Sequence, residues 1–350
     1  EFKVIGLAAG SNLSELAAQV RKFQPAMVCH LGVSEGESSS FSFGATFATM
    51  EEMVQHPEAE LVVVATTGKA GLLPTLLALQ ARKAVALANK EVVVMAGELV
   101  TAAARRTGAP LLPVDSEPSA IWQCLRGEDS QVSRVIVTAS GGPFRNRSGE
   151  ELAAITPEEA LRHPTWRMGK KITVDSATLM NKAFEVMEVH WLFGIPWEKI
   201  EVVIHPQSTI HSMVEFSDGC VKAQLSPPDM RLPIQYALFY PRRVVNPSLP
   251  RINTALLGAL VLEPLDTSRY PCFGLALEAG KRGGSYPAVL SAADEVAVEL
   301  FLQRRIGFLD IYRVVEGVLQ AHQPTSEVGL EAILAADAWA RRKAFEMVKG

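Results

Sequence analysis

Residues 60–100 read ELVVVATTGKAGLLPTLLALQARKAVALANKEVVVMAGELV, and this stretch decides the fold class. Two short apolar runs, ELVVVAT and AVALA, each precede a longer run with helical patterning, GLLPTLLALQ and VVVMAGELVTAAARR. Strands that are apolar on both faces are buried on both faces. That is the mark of a parallel sheet covered by helices. Working outward, FKVIGLAAG reads as a strand ending in glycine, LSELAAQVRKF as an amphipathic helix, AMVCH as a strand and ATMEEMVQ as a helix, with PLLPV closing the series. In open sheets of this kind ligands bind at the carboxyl ends of the strands. Gly10-Ser11-Asn12, Thr66-Thr67-Gly68 and Asn89-Lys90-Glu91 all follow strand ends. Turn chemistry accounts for each alone; three at one sheet edge favour a nucleotide site. GLAAGSN lacks the GxGxxG spacing. Either the dinucleotide site is built differently, or an initial strand–loop–helix lies outside this chain.

Composition bounds the function. A chain of 350 residues, 48% hydrophobic and 21% charged, is an ordinary soluble protein of two or three domains. A net charge of −4 argues against nucleic acid as a partner. Cys29, Cys124, Cys220 and Cys272 are scattered without a CxxC pair and read as free thiols. No run is apolar enough to span a bilayer and the N-terminus has no signal-peptide pattern, so a cytoplasmic protein is expected. The polar stretch 35–42 reads as a surface loop.

From Asp115 to Tyr240 the pattern is mixed. VSRVIVTAS and IEVVIHP read as strands, and SMVEFSDGCVKAQLS as a hairpin about Ser217-Asp218-Gly219. A proline-rich connection follows, and from Tyr270 onward amphipathic helices joined by short loops suggest a bundle. The expected fold is therefore α/β: a Rossmann-like N-terminal domain with a parallel sheet (1–114), an α+β central domain (115–240), a linker (241–269) and a C-terminal α-helical bundle (270–350).

The chemistry concentrates in 163–185, HPTWRMGKKITVDSATLMNKAFE. KKITVDS reads as a short strand from its Ile, Thr and Val, with Asp175 and Ser176 as N-caps of the helix that follows. On that helix Asn181 is four residues and Lys182 three residues from Glu185, which places them on neighbouring faces. A helix N-terminus with Ser, Asn and Lys beside it can hold a phosphate, and a carboxylate one turn on can hold a metal. A solvated polar face is the alternative.

Asp115 and Glu117 follow the apolar run LLPV. In extended backbone i and i+2 point the same way, so the two carboxylates converge. With Glu185 they would suit a hard cation such as Mg2+; a helix N-cap is the other reading of Asp115-Ser116. Ser140-Gly141-Gly142 offers successive backbone N–H groups to an anion, or is a plain glycine turn. His163 and Trp166 lie in a loop, RHPTWRMG, that could exclude water as a lid or simply anchor to the core. His205 and His211 read as structural. Lys90 sits at a strand end above the nucleotide crevice, where it either touches substrate and cofactor or pairs with Glu91 at the surface.

Taken together, GLLPTLLAL, ALANKE, PVDSEPSAIWQ, SGGPFR, HPTWRMGKKITVDSATLMNKAFEVME, IHPQSTIHSMVEF, DMRLPIQYAL and PAVLSAADEVAV resemble the 1-deoxy-D-xylulose 5-phosphate reductoisomerase family along almost the whole chain. The resemblance implies an NADPH-binding first domain, a catalytic second domain, a Mg2+ or Mn2+ cofactor, a small phosphosugar substrate and a homodimer, with no nucleic acid or membrane partner. It implies Asp115, Glu117 and Glu185 as metal ligands. Ser116 would lie against substrate and Lys90 beside its hydroxyls. Ser140, Ser176, Asn181, Lys182 and His163 would hold phosphate. Trp166 and Met168 would form the flap. Gly10, Ser11, Asn12, Asn89 and Glu91 would contact the dinucleotide, and Ser208, His211 and Met230 would lie near its nicotinamide. The implied reaction is a skeletal rearrangement followed by hydride reduction. Departures are also legible. The family's first strand and GSTGSIG loop are missing ahead of residue 1, Ser11 stands where some members are basic, and Pro118 replaces a frequent His. Ala139 precedes the glycine turn where Gly is frequent, and Ser291 and Asp294 replace the usual Asn pair. A simple two-domain dehydrogenase and a non-catalytic phosphosugar-binding protein are the rival readings.

Overall fold

The computed structural model describes residues 2–30, 44–324 and 329–349; the loop expected at 35–42 lies outside them. The chain falls into two compact units. One comprises residues 1–89 and 100–112, and the other residues 90–99 and 113–350.

The first unit is α/β. Strands β1 (Gly6–Ala9), β2 (Met27–His30) and β3 (Thr46–Phe47) form one sheet, with β1 and β3 both parallel to β2. β4 (Leu61–Val64), β5 (Ala84–Leu87) and β6 (Leu111–Pro113) form another, in which β4 and β5 are parallel. Helices α1 (Leu13–Phe23), α2 (Met50–Gln55) and α3 (Leu72–Gln80) connect the strands. Their starts follow local chemistry. The Asn12 side chain accepts the Glu15 N–H, and Thr49 and Glu52 cap each other reciprocally. Val85, Ala86 and Leu87 are essentially without exposure, as the uninterrupted apolar runs require. Helix α4 (Lys90–Thr107) is interrupted at Ala96, and its first turns belong to the second unit.

In the second unit α5 (Ser116–Leu125) leads into β7 (Val132–Ala139). Two short helices, α6 (Gly149–Ala153) and α7 (Pro157–Ala160), each begin with a capping box. Then come α8 (Lys170–Thr178), α9 (Met180–Phe193), β8 (Ile200–Ile204), β9 (Ile210–Phe216), β10 (Val221–Leu225), α10 (Arg231–Phe239) and β11 (Glu263–Pro264). The chain closes with α11 (Pro271–Arg282), α12 (Tyr286–Leu302), α13 (Asp310–Ala321) and α14 (Leu330–Lys349). The five-stranded sheet has the order β10-β9-β7-β8-β11, with β7 and β8 parallel and the other pairs antiparallel. Alternation along β7 sends Val135 and Val137 to a core with Ile121, Val189 and Val214, and Ile136 to the opposite face with Ile210 and Met213. The larger core packs α9 against the helical bundle, with Phe184, Met187, Leu290, Leu300, Phe301 and Ile311 all at most 1% exposed. Each such side chain contributes about 1.5–3 kcal/mol. Among the described residues no helix is long and apolar enough to cross a membrane.

One expected element is different. KKITVDS is not a strand; it lies in helix α8. Its β-branched run is tolerated because Thr173 returns its hydroxyl to Gly169 O at 2.7 Å and Lys171 pairs with Asp175 one turn on. Asp175 and Ser176 are therefore interior helix residues and not N-caps. The N-terminus of α9 is set instead by Leu179, in the left-handed conformation with φ +58°. That conformation costs a leucine about 1–2 kcal/mol, offset by burying it to 2% exposure.

Candidate active site

Helix α9 decides where the polar groups go. Met180, Ala183, Phe184, Val186, Met187 and Val189 are buried on it, and so are Lys182, Glu185 and Glu188. A helix buried all round has no solvated face, so its charges must find one another. Glu185 lies 4.8 Å or less, ligand atom to ligand atom, from Asp115 and Glu117. Lys90 Nζ stands 2.5 Å from Asp115 Oδ2, 3.1 Å from Glu185 Oε1 and 2.7 Å from Asn181 Oδ1. Lys182 Nζ donates to Glu117 at 2.6 Å and also pairs with Glu185 Oε2. Asn181 Nδ2 donates to Glu185 Oε1 at 2.5 Å, and Ser116 Oγ to Glu117 Oε2 at 2.5 Å.

Asp115 and Glu117 converge for a different reason than strand alternation. Asp115 is the N-cap of α5, accepting the Ser116 N–H at 3.0 Å, and Glu117 lies in that helix's first turn. The cap and the cluster are the same residues. Lys90 is 5% exposed and pairs with the cluster rather than with Glu91, which lies 3.6 Å from Lys171.

Electrostatics divide the carboxylates. Burial works to raise Glu117, but Lys182 and then Lys90 outweigh it and hold the group down to about 2. Burial, then repulsion from Glu117, pushes Glu185 up to about 7 against the two lysines. Glu188, 1% exposed, was not singled out from sequence. Burial, then the Asp115 carboxylate, holds it well above the usual range. Its signal was present, since Asn181, Glu185 and Glu188 follow i, i+4, i+7 spacing. Four carboxyls face two ammoniums here, with Asp115 Oδ2 on Lys90 and Glu185 Oε2 on Lys182, so acid is in excess of base in a buried cluster. An all-oxygen, acid-rich set of this kind fits a hard divalent cation.

The glycine turn after β7 is built beside α8. Gly141 and Gly142 have φ of +82° and +68°, and a Cβ on Gly142 would meet Ser176 O at 2.6 Å. Tyr270 Oη donates to Gly141 O at 3.0 Å, and Arg269 donates to the carbonyls of Arg145 and Arg147. His163 Nδ1 accepts the N–H groups of Thr165 at 3.2 Å and Trp166 at 3.0 Å, which puts the ring proton on Nε2, 3.2 Å from Ser140 Oγ. Ser140 Oγ also accepts the Gly142 N–H at 3.2 Å, so its own proton is free to donate to an anion. Burial alone holds His163 down to about 4; the ring is a neutral donor. Gly142→Ala is expected to cost about 1–2 kcal/mol from backbone conformation alone and to weaken anion binding. Chemical denaturation together with a phosphate titration checks this, and wild-type values in both would refute it.

The remaining residues take their places within their own units. Gly10, Ser11 and Asn12 are exposed after β1, and Asn89 Nδ2 donates to Gly68 O at 2.8 Å. In the second unit Trp166 lies 6.0 Å from the His211 ring, and Met168 is half-buried in the same loop. His211 Nε2 meets Ser226 Oγ at 2.9 Å, Ser208 is buried with φ +50°, and Met230 precedes α10. His205 is structural, holding Val261 O at 2.7 Å on one nitrogen and the N–H groups of Thr209 and Ile210 on the other.

Comparison with known proteins fits this arrangement. A family model described as 1-deoxy-D-xylulose 5-phosphate reductoisomerase matches residues 1–97, that family's C-terminal domain model residues 111–193, and a DXP reductoisomerase C-terminal domain model residues 225–343. The 1-deoxy-D-xylulose 5-phosphate reductoisomerase of Pelotomaculum thermopropionicum is 51% identical over 357 residues, covering 99% of this chain and 92% of that one. The Heliobacterium modesticaldum enzyme of the same name is 51% identical over 354 residues, with 99% and 90% covered. Among solved structures, the Zymomonas mobilis reductoisomerase in complex with NADPH superposes with a TM-score of 0.90 at 40% identity, covering 100% of this chain and 92% of that one. A DOX-P reductoisomerase in complex with NADPH, fosmidomycin and magnesium gives 0.91 at 34%, with the same coverage. This chain belongs to the 1-deoxy-D-xylulose 5-phosphate reductoisomerase family.

Proposed function

We propose that this chain converts 1-deoxy-D-xylulose 5-phosphate to 2-C-methyl-D-erythritol 4-phosphate, with NADPH as reductant and Mg2+ or Mn2+ as metal. The observation that carries the reading is the convergence of Asp115, Glu117 and Glu185 with Lys90 and Lys182 in one buried cluster of the second unit. It is supported by the family, whose solved relatives bind NADPH and magnesium.

Asp115, Glu117 and Glu185 would hold the metal. When bound, the metal polarises the substrate's ketone and hydroxyl oxygens and NADPH supplies hydride. The protein's own residues do the rest. Ser140, Ser176, Asn181, Lys182 and His163 receive the phosphate, with His163 as a neutral donor. Lys90 and Ser116 orient the substrate's hydroxyl end. Trp166 and Met168 cover the site and exclude water. Phosphate contacts remote from the reacting carbons supply the binding energy for that closure. For the dinucleotide we propose Gly10, Ser11, Asn12 and Asn89 in the first unit, and Lys90, Glu91, Ser208, His211 and Met230 in the second. Residues 1–114 form the cofactor domain, 115–240 the catalytic domain, 241–269 a linker and 270–350 the bundle of a cytoplasmic homodimer; sedimentation velocity tests the dimer.

The decisive assay is NADPH oxidation with deoxyxylulose phosphate, with Mg2+ or Mn2+ and then with EDTA. The expected result is turnover lost to EDTA and restored by metal. Turnover unaffected by EDTA would point to a simple dehydrogenase. No turnover, with phosphate ligand still bound, would leave a binding protein.

A further inference from the structure

Helix α8 carries a second charged cluster that the proposed chemistry does not use. Lys171, in its first turn, reaches Asp175 at 2.6 Å and Asp294 of α12 at 2.8 Å. Its Nζ atom is buried and lies 4.8 Å from the centroid of the Phe184 ring. Asp175 is 2% exposed and Asp294 0%. Exposed ion pairs contribute little. Two buried carboxylates on one buried ammonium are different, because removing a partner strands a charge in an apolar surrounding. On α12 those surroundings are Leu290, Ala293, Ala297 and Val298, all at most 2% exposed.

The placement gives the cluster a task. Asp175 is followed directly by Ser176, whose carbonyl is the atom a Gly142 side chain would strike. The last turn of α8 is thus tied to α12 on one side and supports the glycine turn on the other.

We infer that Lys171, Asp175 and Asp294 are positioning residues that fix α8 against α12 and thereby set how well Ser140, Gly142 and Ser176 receive the substrate phosphate. This rests on the phosphosugar reading above. Among the described residues Lys171 pairs with Asp175, Asp294 and Glu91 and not with Asp115, Glu117 or Glu185; the cluster acts through α8.

Five groups face one another here. They are Lys171 and Asp175 on α8, Asp294 on α12, Glu91 at the head of α4, and the Cys272 thiol on α11, which burial raises first and Asp294 and Asp175 raise further. Burial, then Asp294, raises Asp175 well above the ordinary carboxylate range; burial also raises Asp294, against the pull of Lys171. A carboxyl raised in the folded state stabilises below its unfolded value, and that contribution is lost as pH rises through the folded value. Lys171 itself is raised, despite burial, by Asp175 and Asp294 and keeps its charge. The latch therefore loosens toward alkaline pH.

The test uses the full chain with metal and NADPH. Asp294→Asn keeps the shape and removes one of the carboxylates on the ammonium; Lys171→Met keeps the stem and removes the cation. Wild type is expected to show a KM for deoxyxylulose phosphate that rises about three- to tenfold toward alkaline pH, with kcat changing less than about twofold. Asp294→Asn should flatten that rise. Lys171→Met should raise KM at every pH and speed amide exchange across Thr173–Ser176. Superimposable KM profiles for wild type and Asp294→Asn overturn the inference, as does a Lys171→Met variant that loses kcat and keeps KM. If Lys171→Met does not fold, the Asp294→Asn profile decides alone. If wild type turns nothing over, the functional reading fails separately, and amide exchange with inorganic-phosphate titration still decides the cluster. Unchanged exchange and unchanged phosphate affinity in Asp294→Asn as pH rises then sink it.

Discussion

Glu185→Gln is expected to abolish turnover while making the metal-free protein more stable. Four carboxyls, Asp115, Glu117, Glu185 and Glu188, share two ammoniums, Lys90 and Lys182. Glu185 is 1% exposed and is pushed up to about 7, by burial first and then by Glu117. Its folded value lies above its unfolded one. Its contribution is therefore present at acid pH and lost as pH rises through about 7. Glutamine stands in for the neutral carboxyl and suffers no such loss. Above neutrality the variant should gain up to about 3 kcal/mol in the absence of metal. Wild type should gain about 2.7 kcal/mol at a metal concentration a hundredfold over Kd, and the variant far less. Turnover should fall by at least about a thousandfold, since one of the three proposed metal ligands and its charge would be gone. Urea denaturation with and without Mg2+, alongside NADPH oxidation, checks all three. Metal-dependent turnover within about tenfold of wild type would remove Glu185 from the ligand set.

That site was only partly legible from sequence. The βα order of the first unit and the hairpin at Ser217-Asp218-Gly219 follow from periodicity and turn chemistry, which are local properties, and the strands stand where the apolar runs placed them. Helix α8 was not legible in that way. Ile172, Thr173 and Val174 carry strand propensity, and a three-residue run is too short for periodicity to overrule it. The better signal was charge. Lys171 and Asp175 are four apart, a helical spacing, and the second carboxylate on Lys171, Asp294, lies far along the chain on α12. Asp115 shows the converse: convergence with Glu117 was expected, but from strand alternation, whereas a helix cap produces it. Glu188 was missed because a Glu on a helix reads as solvated until the helix is known to be buried all round. In each case the local spacing carried a signal, but the group's role is set by tertiary surroundings, which no window of sequence contains.

Lys182→Met carries the largest expected loss of stability. Lys182 is 5% exposed at its side chain and is the ammonium between Glu117 and Glu185. Burial alone would raise Glu117; Lys182, then Lys90, reverse this and hold it at about 2. A carboxylate depressed in this way contributes stability above its unfolded value, lost only as pH falls through about 2. At neutral pH the full contribution depends on Lys182. Removing the cation takes from buried Glu117 its nearest ammonium and leaves Glu185 with Lys90 alone, and breaking one side of such a pair costs about 3–5 kcal/mol. Methionine keeps the stem's packing, so the loss is electrostatic. Two measurements separate this from simple misfolding. Adding Glu117→Gln should recover about 1–3 kcal/mol of the loss, because the pair is coupled. Adding Mg2+ should recover part of it as well, because a divalent cation neutralises the same oxygens. The second result bears on function. The Lys182 ammonium is held by Glu117 and Glu185. On the proposed ligand set, Glu117 and Glu185 would hold the metal and leave Lys182 to phosphate, so metal and phosphate should bind cooperatively in wild type and independently in Lys182→Met. Calorimetric phosphate titrations with and without Mg2+ measure that coupling, and equal coupling in both proteins would show that Lys182 does not link the two ligands.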